Sequence, residues 1–274
     1  MPIRPAKWTD LSTIATLCAT AFYDDELFGT LMHPLRDQFF SDYKASFTRR
    51  IRENWWDWSH VWWVATVLEA DHEVVAGVAE WEFKGTMADT VCLKQWDPRR
   101  AIMPTVKAMH CLHTTIRPNR AANPDPILRN PFPSAHPFFE HHWKGTRANS
   151  VYLELLAVDP KYQGRGLAKE LVQWGLDTAR ENHVCASVIS SISGHNLYLR
   201  MGFTEEVGRC TEGEGNPLKD LGSGWILFAN TSEEQRSVMG NEAKNIELGV
   251  SVESFRSDPS QKPGQRFRVR RRQS

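Results

Sequence analysis

The segment ELLAVDPKYQGRGLA, from Glu154 to Ala168, constrains this chain more than any other part of it. A short apolar run typical of a buried strand is followed by a tight turn at Asp159-Pro160 and then by a glycine-bearing loop. After Gly166, apolar side chains recur at helical spacing as far as Ala179. The segment therefore predicts a strand over 151–158, a loop, and a helix over 166–181 in direct succession.

The loop at the start of this predicted helix has the chemistry of an anion site. Backbone N–H groups at a helix N-terminus have no partner within the helix, and the helix dipole is positive there. Gly164 and Gly166 let the backbone approach a phosphate without an intervening Cβ, and Arg165 and Lys169 add positive charge. The pattern is neither a Walker loop nor a full dinucleotide fingerprint. A bare Gly-x-Gly is a weak pattern that more often marks a simple strand-to-helix turn, so that interpretation stands beside the anion site.

The remaining patterns predict an α/β domain followed by a tail. Strands are predicted at 61–68, 74–83, 184–189 and 225–229, with a short opening strand at Ile3, and helices at 11–22, 35–58 and 194–201. Residues 85–148 are rich in proline and histidine and poorly periodic, apart from a short helix predicted at 102–113. After Asn230 the sequence is polar, with five arginines between Arg266 and Arg272. We expect one domain over 1–230, with a long insertion at 85–148, and a disordered basic tail over 231–274.

Composition narrows the function classes. The formal net charge is zero, so no overall field attracts nucleic acid or an anionic membrane. No apolar stretch is long enough to span a bilayer. The five cysteines are scattered without a Cys-x-x-Cys pair, which favours reduced thiols, and we expect a cytoplasmic protein unless the arginine-rich tail directs it to the nucleus. The histidines of 85–148 lack carboxylate or cysteine company, so no metal site is expected.

Two motifs resemble those of a known family. Gln163-Gly164-Arg165-Gly166-Leu167-Ala168 resembles the Q/R-x-x-G-x-G/A signature of the GNAT acetyltransferases, and it directly follows a strand, as in that family. Thirty residues beyond Ala168, the segment Tyr198 to Phe203 resembles the family's Tyr-x-x-x-Gly-Phe motif. The resemblance covers 151–208, 1–30 and 61–83. It implies the GNAT fold, a mixed and mostly antiparallel central sheet that is splayed at its fourth strand and flanked by helices.

The resemblance also implies a mechanism, in which an acetyl group passes from acetyl-CoA to a primary amine by direct attack in a ternary complex. The predicted cofactor contacts are main-chain groups of the strand, including an oxyanion donor, and the pyrophosphate loop; the residues are Leu156, Ala157, Val158, Gln163, Gly164, Arg165, Gly166, Leu167, Ala168 and Lys169. Tyr198 is the predicted proton donor to the leaving thiolate. The family's asparagine seven residues before this tyrosine is replaced by Ser191, so a cofactor contact from that site is not expected.

Glu154 is the candidate base, because on a regular strand it shares a face with Tyr152 and Leu156. Two alternatives remain: Glu154 has a purely structural role, or a histidine within 85–148 acts as the base instead. The tryptophans between Trp55 and Trp63 either line an acceptor pocket or belong to the core. We expect a small-molecule amine as acceptor and a monomer or dimer. Protein N-terminal or lysine acetylation, and a non-catalytic CoA-binding module, remain the alternatives.

Overall fold

The structure is a computed structural model that describes residues 3–88, 99–116 and 118–230. The predicted tail, 231–274, lies outside the described residues, as does Cys92. The seven described strands are β1 (Ile3–Pro5), β2 (His60–Glu69), β3 (His72–Lys84), β4 (Ser150–Val158), β5 (Cys185–Ser190), β6 (Glu205–Arg209) and β7 (Trp225–Ala229). The described α-helices are α1 (Leu11–Ala21), α2 (Phe40–Trp55), α3 (Arg99–Ile116), α4 (Pro126–Arg129), α5 (Phe132–Phe139), α6 (Leu167–Glu181) and α7 (Ile192–Arg200).

The strands form one sheet in the order β1-β2-β3-β4-β5-β7-β6. All neighbours are antiparallel except β4 and β5, which run parallel. Their pairing runs only from Ser150 opposite Cys185 to Leu153 opposite Val188. Beyond that point the two strands diverge, and β5 continues alongside β7 alone. This is the mixed, mostly antiparallel sheet splayed at its fourth strand that the sequence predicts.

Helices cover both faces of the sheet. The apolar side of α6 packs on one face with Val151, Leu153 and Trp81. On the other face, α1 and α2 bury their apolar sides against Leu155 and other strand residues. A third cluster joins α5 to β5 and β7. The sheet is thus a rigid central layer, and the splay opens within it.

Close packing holds α6 against the sheet. An added Cβ at Gly175 would lie 2.1 Å from Cζ2 of Trp81. Trp81 is completely buried, so its indole has no room to withdraw. Glycine is therefore the residue that lets α6 approach β3 this closely, and that approach fixes the position of the N-terminus of α6.

The described residues of segment 85–148, where sequence patterns are weakest, contain more helix than expected. The predicted short helix at 102–113 is α3, which runs from Arg99 to Ile116 with Pro104 inside it. The short helices α4 and α5 follow it.

Strand β6 and a π-helical turn at Glu26–Leu31 are not predicted by the sequence patterns. No helix among the described residues is long and apolar enough to cross a membrane.

Candidate active site

A narrow cleft of about 110 Å³ lies where β4 and β5 diverge. Side chains of both strands, of the π-helical turn and of α7 line it; among them are Phe28, Glu154, Leu155, Leu156, Ile189, Ser190, Ser191 and Tyr198. On the β5 side, the main chain of β4 after Leu153 has no strand partner among the described residues. A strand edge of this kind offers N–H and C=O groups to an extended ligand. The cleft therefore has the character of a groove for an amide-containing chain.

The glycine loop leads from the end of β4 into α6. Gly164 and Gly166 have φ of +74° and +82°, and an added Cβ at either would meet no atom within 4 Å. The left-handed backbone explains why glycine occupies both positions, and the open space leaves the loop accessible. Gly166 is the N-cap of α6, so the first N–H groups of the helix have no partner within it. These features fit a phosphate-binding site.

The predicted loop residues play different parts. The side chains of Arg165 and Lys169 are exposed, so both are free to reach an anion, although Arg165 also lies over the Tyr162 ring at 5.3 Å. Gln163 donates a hydrogen bond of 3.2 Å from Nε2 to the carbonyl of Val158, which ties the loop to the strand. Leu167 is buried in the core, so it can offer a ligand only its main chain. Ala168 is half-buried in the first turn of α6.

Of the three predicted strand contacts, Leu156 lines the cleft. The side chains of Ala157 and Val158 pack into the two core clusters on opposite faces of the sheet, which leaves only their main chain for ligand contacts. Ser191 uses its hydroxyl to cap α7, accepting from the N–H of Gly194 at 3.2 Å.

Glu154 lies on an irregularity of β4. Glu80 pairs with Leu155 and Trp81 pairs with Leu153, so Glu154 is the extra residue of a β-bulge. The bulge reverses the alternation that follows it, and Leu156 packs with the α6 cluster rather than beside Glu154. The expectation that Glu154 and Leu156 share a face is therefore wrong. The bulge instead presents Glu154 to both the cleft and a larger cavity.

Arg50 of α2 binds the carboxylate of Glu154, with Nη2 2.5 Å from Oε1. Burial acts to raise the pKa of Glu154, but the charge and hydrogen bond of Arg50 outweigh it and hold this pKa below its ordinary value. Glu154 is thus ionised at neutral pH. It can attract a cation, and it is a weaker proton acceptor than a free carboxylate.

Behind this pair lies a completely buried carboxylate, Glu80. Its Oε1 accepts from Asn54 Nδ2 at 2.6 Å and lies 2.8 Å from Nδ1 of His60, while its Oε2 lies 3.5 Å from Nη2 of Arg50. Burial acts to lower the pKa of His60, but the hydrogen bond and charge of Glu80 dominate and raise it above the ordinary histidine value. Sequence patterns do not reveal Arg50, His60 or Glu80, because the spacing within α2, which holds Arg50, and within β2 and β3, which hold His60 and Glu80, does not separate them from surface residues.

The larger cavity has a volume of about 940 Å³ and adjoins the cleft at Glu154. Its walls include residues of the π-helical turn, the end of α2, the end of β3, α5 and β4. Seven aromatic side chains line it: Phe28, Trp58, Phe83, Phe132, Phe139, Trp143 and Tyr152. Most of the charged groups on its walls form pairs, namely Arg50 with Glu154, Lys84 with Glu82, and His136 and Lys144 with Glu140. The cavity thus combines aromatic surface with charges that are mostly compensated.

The aromatic run and the histidines contribute unequally to this cavity. Of the tryptophans between Trp55 and Trp63, only Trp58 lines the cavity. Trp62 is in the core, and the Trp63 ring packs at a tilt of 34° against Trp174, with 4.7 Å between the ring centroids. Of the histidines within 85–148, His136 lines the cavity. The side chains of His110 and His113 lie outside the described residues.

Tyr198 reaches the cleft from α7 and packs edge-to-face on Phe203 at 5.7 Å. Burial raises its pKa, so the phenol is protonated at neutral pH and can donate a hydrogen bond. Cys210 lines both the cleft and the cavity, and burial raises the pKa of its thiol to about 11. A thiol of this pKa is a poor nucleophile near neutral pH.

The comparisons with known proteins agree with the fold. Residues 129–203 match the family model described as the acetyltransferase (GNAT) family. The match begins at residue 129, within segment 85–148, where no motif of the sequence resembles the family. A solved structure from Corynebacterium glutamicum, described as histone acetyltransferase HPA2 and related acetyltransferase, is similar at a TM-score of 0.52 and 18% identity, over 84% of this chain and 96% of that one. An N-acetyltransferase from Staphylococcus aureus Mu50 has a TM-score of 0.45 and 15% identity, over 83% and 98%. No curated protein matches the sequence.

Proposed function

We propose that this chain, which has the GNAT fold and contains a GNAT acetyltransferase domain, is an N-acetyltransferase that transfers the acetyl group of acetyl-CoA to a small-molecule primary amine. One observation carries the proposal: the cleft between β4 and β5 meets the larger cavity at Glu154. An acyl donor in the cleft and an amine in the cavity would meet at that residue. Direct attack in a ternary complex follows from this arrangement.

The donor half of the site fits acetyl-CoA, which supplies the activated acetyl thioester. In this proposal the unpaired edge of β4 at Leu156, Ala157 and Val158 binds the pantetheine amides, and one of its N–H groups stabilises the oxyanion. The loop N–H groups of residues 163–169, with Arg165 and Lys169, bind the pyrophosphate. Gln163 holds the loop in place through its bond to Val158.

The acceptor half favours an amine with an apolar or aromatic body. A volume of about 940 Å³ suits a small organic molecule, and the aromatic walls supply contact area. Because most of the charged side chains on the walls are paired with one another, a strongly charged acceptor would compete with those pairs. The ammonium group itself is attracted by Glu154 and by the faces of the surrounding rings.

The proposed chemistry assigns a proton to each catalytic group. Glu154 receives the first proton of the ammonium, directly or through water, and the neutral amine attacks the thioester carbonyl carbon. The C–N bond forms and the C–S bond breaks, while Tyr198 donates a hydrogen bond to the departing sulfur. The pKa of Tyr198 is raised above a tyrosine's ordinary value of about 10, whereas thiols ionise near 8.5. Tyr198 therefore transfers its proton fully to the sulfur only as the nitrogen of the new amide loses its second proton. That second proton returns the tyrosine to its phenol form.

The raised pKa of Cys210 supports direct attack over an acetyl-cysteine intermediate. Among the described cysteines, Cys210 lies nearest the proposed reaction centre, because it lines both the cleft and the larger cavity. Its thiol stays protonated near neutral pH. A covalent route through this residue would need a thiolate.

Acetyl transfer from acetyl-CoA to a panel of aryl-alkyl and alkyl amines, beside a panel of peptides with free N-termini or lysines, tests the proposal. Acetylated product is measured by mass spectrometry, so that the protein's own thiols do not interfere. We expect product with amines of apolar body and none with peptides. Product only with peptides would establish protein acetylation instead. Binding of CoA without any product would indicate a non-catalytic module.

A further inference from the structure

The buried cluster beneath the cavity carries an unbalanced charge. The carboxylates of Glu80 and Glu154 face a single guanidinium, that of Arg50, whose Nη2 lies 2.5 Å from one and 3.5 Å from the other. With both carboxylates ionised, the three side chains sum to one negative charge. Buried charge of this kind is costly unless a further cation compensates it. The cluster is therefore completed either by a cation in the cavity or by a proton on a neighbouring group.

His60 is the neighbouring group that can take this proton. Its Nδ1 lies 2.8 Å from Oε1 of Glu80, and the same carboxylate oxygen is fixed from the other direction by Asn54. A carboxylate on Nδ1 holds a neutral imidazole in the tautomer with hydrogen on Nδ1 and leaves a lone pair on Nε2. Because His60 lines the larger cavity, a proton that moves within the cavity can reach its imidazole.

We propose that His60 is the final acceptor of the amine proton, with Glu80 as the residue that orients it and stabilises its imidazolium. The inference rests on the proposed acetyl transfer. The proton leaves the acceptor's ammonium at Glu154, passes through water in the cavity and comes to rest on Nε2 of His60. The cluster then has two negative and two positive charges. The neutral amine forms its bond to the acetyl carbon, and His60 returns its proton to solvent after the product leaves.

The charges around His60 favour this outcome. Glu80 and Glu82 face it from β3 and Glu154 from β4, and all three act to raise its pKa, while Arg50 from α2 is engaged by the carboxylates. Glu154 is the less stable resting place for the proton, because Arg50 lowers its pKa. Glu154 therefore contacts the amine, whereas His60 stores the proton.

Four proteins test this inference: the full-length wild type, His60→Gln, Glu80→Gln and the control His72→Gln. The control removes an exposed histidine at the start of β3 that lines neither the cleft nor the larger cavity. Turnover with the best amine of the panel is measured from pH 5 to pH 9, together with acetyl-CoA affinity by calorimetry. The pKa of His60 is measured separately by NMR titration of imidazole-labelled protein.

We expect the turnover of the wild type to rise with pH through an inflection that matches the NMR pKa of His60, at a value above 6.5. His60→Gln should lower turnover by roughly 100-fold near pH 7 and remove the inflection, with acetyl-CoA affinity unchanged. Glu80→Gln should move both the inflection and the NMR pKa downward. His72→Gln should match the wild type.

Two results would overturn the inference while leaving acetyl transfer intact. One is an active His60→Gln with the pH profile of the wild type. The other is an NMR pKa of His60 at or below 6.5. A wild type that acetylates no amine at any pH would instead refute the proposed function, and this inference with it.

Discussion

Arg50 donates a hydrogen bond of 2.5 Å to Glu154 across 104 residues of sequence. The contact joins α2 on one face of the sheet to the bulge of β4, where the cleft and the cavity meet. It places a positive charge beside the proposed catalytic carboxylate and fixes the side chain in one orientation. The same arginine thus contributes to both the stability and the chemistry of the site.

Arg50→Ala should destabilise the protein by about 3 kcal/mol at pH 7, because it leaves the completely buried Glu80 and the half-buried Glu154 without their cation. The pKa of Glu154 is lowered in the folded protein, so the contribution of the pair is present above the ordinary value of 4.5 and is lost as pH falls through the lower folded value. The difference between Arg50→Ala and the wild type in the free energy of unfolding, measured with urea, should therefore become smaller below about pH 4. Arg52→Ala, which removes an exposed arginine of the same helix, should change stability by no more than about 0.5 kcal/mol. Equal losses in both variants would contradict this account.

Gly175→Ala should destabilise the protein by about 2 kcal/mol or more, although alanine is the better helix former by about 1 kcal/mol. The added methyl group would overlap the buried indole of Trp81. Denaturant unfolding of Gly175→Ala, Trp81→Phe and the double variant measures the effect. The double variant should lose less than the sum of the two single losses, because the smaller ring makes room for the methyl group. Strict additivity would show that this contact does not set the spacing of α6.

Ala168→Glu should abolish measurable acetyl-CoA binding and leave the fold intact. A carboxylate in the first turn of α6 would oppose the pyrophosphate by charge, and its bulk would obstruct the approach to the loop. Calorimetric titration with acetyl-CoA measures the loss, and circular dichroism checks the fold. Ala168→Gln introduces a side chain of nearly the same size as glutamate but without the charge. A smaller loss of acetyl-CoA affinity in Ala168→Gln would therefore measure the electrostatic part of the effect. Wild-type affinity in Ala168→Glu would mean that the loop is only a turn.

The cofactor half of the site was predictable because its signals are local. Strand β4, the glycine loop and α6 follow one another between Ser150 and Glu181, and each has its own pattern of apolar spacing or glycine placement. Gly164 and Gly166 do have the left-handed backbone that only glycine adopts readily. Where the cofactor residues contact a ligand remains a prediction.

The acceptor half was not predictable because its contacts are long-range. Arg50, His60, Glu80 and Glu154 come from one helix and three strands, and nothing in the sequence near any of them marks the others. The bulge at Glu154 also escaped prediction, since the apolar alternation of β4 continues through it while the faces exchange. Strand β6 was missed because Glu205 to Arg209 is polar and contains a glycine, which weakens any strand pattern.

Tyr198→Phe should lower turnover roughly 10–100-fold while acetyl-CoA affinity holds. The ring and its contact with Phe203 remain, and only the hydroxyl is lost from this residue of the cleft. General acid–base groups contribute about 10²–10⁴, and the effect should lie at or below the low end of that range because a thiolate leaves tolerably without protonation. Steady-state kinetics with the best acceptor measure the loss. Unchanged turnover would remove Tyr198 from the mechanism.

Glu154→Gln should show a defect that depends on pH, and it discriminates most sharply among the proposed roles. The amide keeps the shape of the side chain but attracts the ammonium less and cannot take its proton. Turnover should fall by roughly 100-fold near pH 7, and the loss should shrink as pH rises and the amine deprotonates unaided. The measurement is turnover against pH for this variant and for Glu181→Gln, which removes an exposed carboxylate at the end of α6, outside the lining of the cleft and the cavity, and should follow the wild-type profile. The same fractional defect at every pH would show that Glu154 positions the acceptor without accepting its proton. A wild-type rate at pH 7 would exclude Glu154 from the reaction altogether, since the carboxylate nearest the junction of cleft and cavity would then have no measurable contact with the amine.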